Sequence, residues 1–128
     1  MADQLEVLLG IHDRFVNMAL SELLRVSHPV TTVATQDDMR NALGIAEQGS
    51  SATACKYGVV IMDINLGTPG GYYLESGREV YRYLRPLIET GQVKFTTVSA
   101  NDLVVEIARS EGIPCIPKMD LFSYIQTF

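Results

Sequence analysis

Basic residues are scarce in this chain of 128 residues, which has 10 Lys and Arg against 15 Asp and Glu. Its formal net charge is -5 at pH 7, and its pI lies near 4.9. Proteins that bind nucleic acid use clustered Lys and Arg side chains to neutralise phosphates, and this sequence has no such cluster. We therefore expect no direct binding to nucleic acid. The acidic balance suits partners that are proteins or cations.

Long hydrophobic runs are also lacking. No apolar stretch approaches the roughly 18 residues that span a bilayer. The first residues, Met1 to Gln4, carry none of the basic charge of a secretory leader. The sequence thus predicts a soluble, cytoplasmic protein that does not act on a membrane.

Cysteine is limited to Cys55 and Cys115, whose spacing matches no metal motif. Both lie in or beside apolar segments, which favours reduced, buried thiols in a cytosolic protein. A disulfide between the two is the alternative.

The apolar residues, by contrast, are sufficient for a hydrophobic core, because they make up 47% of the chain. Along the chain, apolar patterns typical of strands alternate with patterns typical of helices. One domain, residues 1–128, is predicted. Parallel strands joined by right-handed crossovers give an α/β, flavodoxin-like (βα)5 three-layer sandwich with the sheet order 2-1-3-4-5. The predicted strands are 5–11, 30–35, the apolar run that ends at Asp63, 93–100 and 112–117, and the predicted helices are 15–26, 36–48, 75–88, 102–110 and 121–127.

Apolar residues also predict which side chains the first three helices bury. The first helix carries an apolar stripe, and the second and third are expected to turn their apolar residues inward. The residues concerned are Phe15, Val16, Met18, Ala19, Leu20, Leu23 and Leu24 in the first helix, Met39, Leu43, Ile45 and Ala46 in the second, and Val80, Tyr83, Leu84 and Leu87 in the third.

Asp63 is the most informative single residue. It ends the apolar run Val59–Met62, which reads as a strand buried on both faces. In the predicted strand order, the crevice where ligands bind lies between the carboxyl ends of the first and third strands. Asp63 and the segment Ile11–Asp13 should therefore face the same crevice.

Two further polar residues follow the next two strands, so that Asp63, Ser99 and Lys118 should meet at one end of the sheet. A carboxylate, a hydroxyl and an ammonium group suit covalent phosphoryl chemistry, as nucleophile, hydrogen-bond donor and counter-charge. A divalent cation normally completes such a site. The alternatives are a turn-capping role for Asp63, a helix cap or turn former for Ser99, and a surface position for Lys118.

The chain resembles a response-regulator receiver domain over essentially its whole length, and the matching segments are Val60–Leu66, Val98–Ala100 and Ile116–Lys118. The resemblance implies a signalling module rather than an enzyme. Asp63 would accept a phosphoryl group from a histidine kinase or a phosphotransfer protein. Ser99 would act as the switch hydroxyl and Lys118 would bind the phosphoryl group. A downstream protein, or a second copy of the chain, would then bind the altered surface.

The resemblance also implies a Mg2+ ion held by Asp13, Asp63 and the backbone carbonyl of Asn65. Here the sequence departs from the family, because Ile11-His12 stands where receivers have two acids. Neutral imidazole is a poor ligand for Mg2+, which prefers oxygen. Asp13, one residue later, is as readily an N-cap of the first helix as a metal ligand.

Three more departures from the receiver pattern concern Met119, Cys115 and the long loop that starts at Gly67. Met119 replaces a proline, Cys115 replaces a switch aromatic, and the loop could form a lid or a partner surface. The missing acid pair, Met119 and Cys115 favour a second hypothesis, a pseudo-receiver that binds proteins without being phosphorylated, whereas the intact Asp63, Ser99 and Lys118 favour the first. A third hypothesis is a small flavodoxin-like enzyme that acts on a ligand in the crevice.

Overall fold

Five parallel strands form one sheet in the order β2-β1-β3-β4-β5. The computed structural model describes residues 5–46, 49–66 and 74–127. The predicted α/β, flavodoxin-like architecture and its strand order are confirmed. The strands are β1 Val7–Gly10, β2 Val30–Val33, β3 Val59–Asp63, β4 Lys94–Ser99 and β5 Cys115–Pro117.

Helices cover both faces of this sheet. One layer comprises α1 and α5, whose buried leucines and isoleucine pack on β1 and β3. The other layer comprises α2, α3 and α4. Parallel sheets need cover on both faces, and every residue of β1 and the first four residues of β3 are buried accordingly. The helices are α1 Arg14–Arg25, α2 Gln36–Leu43, α3 Glu75–Glu89, α4 Asp102–Ser110 and α5 Leu121–Ile125, with a 3-10 turn at Lys118–Asp120 before α5.

Helix α1 buries fewer apolar residues than the sequence predicts. Leu20 and Leu24 are buried, but Phe15 is 83% exposed. The prediction that a single stripe would hold all the apolar residues of this helix was wrong, because only one side of α1 faces the sheet. A second set of apolar residues therefore faces outward, namely Phe15, Met18, Ala19 and Leu23, with Val26 just beyond the helix.

Helix α2 is shorter than predicted and ends at Leu43 rather than near residue 48. Gly44 follows with φ 75°, a left-handed conformation that glycine adopts without steric cost and that stops the helix. Ile45 is still buried, but beyond the helix, whereas Ala46 is exposed. Met39 is the buried residue within α2, and Leu43 packs against the core at its end.

The remaining boundaries move by a few residues. Strand β1 is shorter at both ends, β2 ends at Val33, and β5 starts at Cys115 rather than at residue 112. Gly112, with φ 81°, instead belongs to the turn that follows α4. Helix α4 has the predicted bounds. In α3, Val80, Leu84 and Leu87 are buried as predicted, and Tyr83 is half-buried against the same cluster.

Gly77 brings α3 close to the end of β3. Its N–H donates a 2.9 Å hydrogen bond to the carbonyl of Ile64, the residue after Asp63. A Cβ atom at position 77 would lie 2.8 Å from Cγ1 of Ile64 and 3.0 Å from Cγ2 of Thr97. Only glycine permits this approach, which fixes α3 beside the strand that carries Asp63.

Both cysteines are free thiols, Cys115 buried and Cys55 half-buried, so the alternative of a disulfide between them is wrong. Within the described residues, no helix is long and apolar enough to cross a membrane.

Candidate functional site

The sheet register brings the three predicted polar residues to neighbouring positions. Asp63 pairs with Val98, the residue before Ser99, and Ser99 pairs with Pro117, the residue before Lys118. All three positions lie at the carboxyl end of the parallel sheet. The structure therefore gathers Asp63, Ser99 and Lys118 at the end of the sheet where ligands bind in this architecture.

The Asp63 carboxylate has a partner on each oxygen. The backbone N–H of His12 donates a 2.8 Å hydrogen bond to Oδ2, and Nζ of Lys118 lies 3.8 Å from Oδ1. The Asp63 side chain is 14% exposed and that of Lys118 is 28% exposed. The pair is thus held at the surface of the crevice, where a reactant can still reach it.

Burial raises the pKa of the Asp63 carboxyl above its ordinary value, because the charged form loses hydration. The hydrogen bond from His12 and the positive charge of Lys118 oppose this shift, and the negative charge of Asp13 adds to it. One backbone dipole and one ammonium group therefore offset part, but not all, of the cost of desolvating the Asp63 anion.

Asp13 caps helix α1. Its Oδ1 accepts hydrogen bonds from the N–H groups of Phe15 at 2.9 Å and Val16 at 3.1 Å. The bond from Val16 is the main cause that lowers the pKa of the Asp13 carboxyl, and the bond from Phe15 and the charge of Lys118 act in the same direction. Of the two roles that the sequence left open for Asp13, the structure shows the N-cap.

Ile11 and His12 directly follow β1, and the structure separates their roles. The Ile11 side chain is fully buried in the core between α1 and the sheet. The His12 side chain is exposed, and the hydrogen bond that this residue makes to Asp63 comes from its backbone N–H. The hydrogen bond to Asp63 thus comes from the backbone amide of position 12 and not from its imidazole.

Asn17 is a structural residue of the site that sequence reasoning missed. Its Nδ2 donates to the carbonyls of Ile11 at 2.9 Å and Val33 at 3.2 Å, which joins the ends of β1 and β2. These two hydrogen bonds fix the position of the segment whose His12 N–H contacts Asp63. A helical asparagine one turn after the N-cap is the available sequence signal, and that signal is weak.

Ser99 belongs to the turn that leads into α4. Its Oγ accepts a 3.1 Å hydrogen bond from the N–H of Asn101. The α4 N-cap is Asn101, whose Oδ1 accepts from the N–H groups of Leu103 and Val104. Ser99 is therefore a turn former, but its hydroxyl proton is not used by this bond and can still be donated to a ligand.

The donor set fits only a weak Mg2+ site. Two carboxylates, Asp13 and Asp63, influence each other electrostatically, and Mg2+ is commonly held by one or two carboxylates together with water. However, one oxygen of Asp13 caps α1, and both oxygens of Asp63 have partners. Over residues 5–46, 49–66 and 74–127, no three His, Cys, Asp or Glu side chains converge on a point that could hold a metal.

The other departures fall around β5. Cys115 is buried in the core, while its carbonyl accepts a 2.9 Å hydrogen bond from Nε of Arg109. Met119 lies in the 3-10 turn after Lys118 and is 85% exposed. Neither residue contacts Asp63 through a hydrogen bond or an ion pair. The predicted lid, residues 67–77, falls mostly on residues 67–73, which lie outside the described residues.

Solved structures share this fold. A fusion of the yeast Spc42 trimeric coiled coil to another structure matches with a TM-score of 0.61 and 13% identity, covering 98% of this chain and 78% of that chain. The crystal structure of an adenylate cyclase from Rhodopirellula baltica matches with a TM-score of 0.64 and 16% identity, covering 97% of this chain and 86% of that chain. Comparison with protein-family models gives no match, and neither does comparison with curated proteins. Identities this low show the fold alone.

Proposed function

We propose that this protein is a phosphoacceptor in a phosphorelay, with Asp63 as the residue that receives the phosphoryl group. The observation that carries the proposal is the Asp63–Lys118 pair, a partly accessible carboxylate with an ammonium group 3.8 Å away at the carboxyl end of a central strand. The proposed donor is a phosphohistidine on a histidine kinase or a phosphotransfer protein. The protein itself is proposed to be a signalling module rather than an enzyme.

In the proposed transfer, an Asp63 oxygen attacks phosphorus and forms an acyl-phosphate bond, while the P–N bond of the donor phosphohistidine breaks. The electron pair of that bond leaves on the imidazole, so no oxidant or reductant is required. Lys118 offsets the added negative charge, and the backbone N–H of His12 holds the carboxylate in place. Ser99 donates its hydroxyl proton to a phosphoryl oxygen.

Asp13, Asp63 and the backbone carbonyl of Asn65 are the proposed Mg2+ ligands. The ion, when bound, supplies positive charge that offsets the phosphoryl oxygens. Asp13 stays anionic at neutral pH, because its cap hydrogen bonds hold its pKa below the ordinary value. Asp13 can offer its second oxygen to the ion without leaving α1, since both cap bonds use Oδ1.

Signal output is proposed to pass through the elements that follow Ser99. Helix α4 exposes Leu103 and Ile107, at 59% and 42%, one turn apart on the same side. A movement of Ser99 toward the phosphoryl group would change the turn that holds Asn101, and with it the start of α4. A downstream protein or a second copy of the chain is the proposed reader of this surface.

The second candidate function is a pseudo-receiver that binds proteins without phosphorylation. The use of Asp13 as the α1 cap and the buried Ile11 favour it, because both weaken the acidic pocket.

Incubation with Mg2+ and acetyl phosphate distinguishes these two functions. We expect intact-mass analysis to show one added phosphoryl group, mapped to Asp63 and absent from Asp63→Asn. Asp37→Asn, which removes an exposed acid on α2, is the matched control and should be labelled normally. Lys118→Ala should slow labelling on the order of a hundredfold. If the folded protein takes no label, the phosphoacceptor proposal is wrong and the pseudo-receiver is the supported function. Label on Asp63→Asn would show that another residue is the acceptor.

The proposed Mg2+ site is tested by His12→Asp. This change adds a carboxylate where receivers carry one but keeps the backbone N–H that holds Asp63. Affinity for Mg2+, measured by calorimetry, should rise several-fold, whereas His12→Asn should leave it unchanged. Equal affinity in all three proteins would mean that position 12 does not face the ion.

A further inference from the structure

A second open cleft, about 450 Å³ in volume, lies between α1 and the edge strand β2. We call it the α1–β2 groove. Its α1 wall is the row Arg14, Met18, Ser21 and Arg25, and Thr32 is on the β2 wall. Asp63, Ser99 and Lys118 do not line it. The groove therefore adjoins the proposed phosphoacceptor site at His12 and Asn17, but it contains none of the three residues proposed to carry out phosphoryl transfer.

Positive charge is concentrated in this groove although the chain as a whole is acidic. Arg14 and Arg25, the first and last residues of α1, both line it, and so does His12. Within the described part of the chain, neither arginine is in an ion pair. One acid, Asp38, also lines the groove, in the first turn of α2, where the helix N-terminus offsets part of its charge. The groove thus presents two cationic groups and one acid, and neither arginine is ion-paired within the described residues.

The spacing of the two arginines indicates the shape of the ligand. They are eleven positions apart in α1, so their Cα atoms lie about 16 Å apart along the helix axis. An extended peptide covers that distance with five residues at about 3.3 Å each. A small anion or a single phosphate cannot reach both arginines, whereas an extended segment with two acids can.

The backbone of β2 offers hydrogen bonds along the same length. The N–H of Val7 donates to the carbonyl of Pro29, so residue 29 points its backbone groups toward β1. Backbone direction alternates along a strand, and Thr31 and Val33 therefore also face β1. Val30 and Thr32 point their N–H and C=O groups away from the sheet, and β2 has no neighbour on that side in the described sheet. Such a free edge can accept an added strand.

We propose that the α1–β2 groove binds an extended acidic peptide segment of a partner protein. The segment adds a strand to the edge of β2, and two of its carboxylates pair with Arg14 and Arg25. Nucleic acid is disfavoured, because the groove has only two arginines, contains Asp38, and belongs to a chain with a net charge of -5.

The spacing is tested with fluorescent nine-residue peptides of Thr and Val that carry two glutamates two, four or six positions apart. Glutamates at even spacing lie on one face of a strand, so each peptide presents both to the arginines. Fluorescence anisotropy with the full chain should show the tightest binding at four or six positions. It should also show weaker binding when both glutamates are glutamine, and weaker binding at high salt.

The charge contribution is tested by Arg14→Gln and Arg25→Gln. Each should weaken binding of the best peptide about threefold, and the double variant about tenfold. Arg82→Gln is the matched control, because it removes one exposed positive charge from α3 on the opposite face of the sheet. It should leave binding unchanged.

The strand addition is tested by Thr32→Pro, which removes an outward N–H and no hydrogen bond to β1. Binding should fall about fivefold. Thr32→Ala removes the same hydroxyl but keeps the N–H, so it should bind normally. Circular dichroism confirms that each variant is folded.

Three results would overturn the proposal. One is no saturable binding of any peptide up to about 1 mM. Another is binding that does not depend on glutamate spacing or on the two arginines. The last is a single-stranded oligonucleotide that binds more tightly than the best peptide and is unaffected by Thr32→Pro. Labelling of Asp63 by acetyl phosphate plays no part in these measurements, so failure here leaves the proposed phosphoacceptor function untouched.

Discussion

The backbone N–H of His12 donates a 2.8 Å hydrogen bond to Oδ2 of Asp63, across 51 residues of sequence. Because the donor is the main chain, the contact does not depend on which side chain occupies position 12. Together with Lys118 it gives the central carboxylate of the crevice a polar partner on each oxygen. These two partners oppose the burial that raises the pKa of the Asp63 carboxyl.

The raised pKa of Asp63 predicts how its replacement changes stability with pH. A carboxyl with a higher pKa in the folded state binds protons more strongly there, so its contribution to stability falls as pH rises through its pKa. We expect Asp63→Asn to have the higher melting temperature at pH 7, since the neutral amide escapes the desolvation cost. The difference should shrink as pH falls through the raised pKa of Asp63 and should stay constant below the ordinary value of 3.8, where the carboxyl is protonated in both states. Thermal unfolding between pH 3 and pH 8 measures it, and a variant that is less stable at pH 7 would show that the Lys118 pair outweighs burial.

Loss of the α1 cap should lower stability measurably. Asp13→Ala removes the acceptor for two N–H groups, and we expect the melting temperature to fall by about 4 °C. Asp13→Asn keeps an oxygen acceptor and should lose much less. The pKa of Asp13 is lowered in the folded protein, so its stabilising effect is present above the unfolded pKa and is lost as pH falls. Equal melting temperatures for both variants would contradict the role as a cap.

Gly77→Ala should destabilise the protein although alanine favours helix. The new Cβ would lie 2.8 Å from Cγ1 of Ile64, and such overpacking costs about 1–3 kcal/mol. The helical preference of alanine returns at most about 1 kcal/mol. We expect a net loss of about 1 kcal/mol in urea unfolding, together with slower labelling of the neighbouring Asp63.

A double-mutant cycle provides the control for Gly77. Combined with Ile64→Ala, which removes the clashing Cγ1 atom, Gly77→Ala should cost less than it does alone. If the stability losses of Gly77→Ala and Ile64→Ala simply add, the close approach of α3 to β3 is not the reason for glycine at position 77.

The two thiols should react at different rates with a disulfide reagent in the native protein. Burial raises the pKa of both Cys55 and Cys115, so both react more slowly than a free thiol and faster as pH rises toward 9. Cys115 is only 3% exposed, whereas Cys55 is half-buried. We expect Cys55 to react first and Cys115 only on unfolding. Cys55→Ser and Cys115→Ser assign the two phases, and rapid reaction of native Cys55→Ser would contradict the burial of Cys115.

Much of this fold follows from the sequence alone. Alternating apolar runs and helical periodicities are local signals, and they predict five strand–helix units and hence a parallel sheet. The order 2-1-3-4-5 is the natural expectation for a chain of this length, and the structure confirms it. The same signals place Asp63 at the end of a buried strand. They also place Ser99 and Lys118 after the next two strands, which the register brings side by side.

Tertiary structure decided what those positions do. In the folded protein Asp13 caps α1 and the amide of His12 donates a hydrogen bond to Asp63. Phe15 and Met18 face outward. Arg14 and Arg25 line a groove beside the free edge of β2. Apolar spacing reports only that a helix has an apolar side. Which residues face the sheet, and which oxygen meets which donor, depend on contacts between segments far apart in sequence, and those distances are set only when the layers pack.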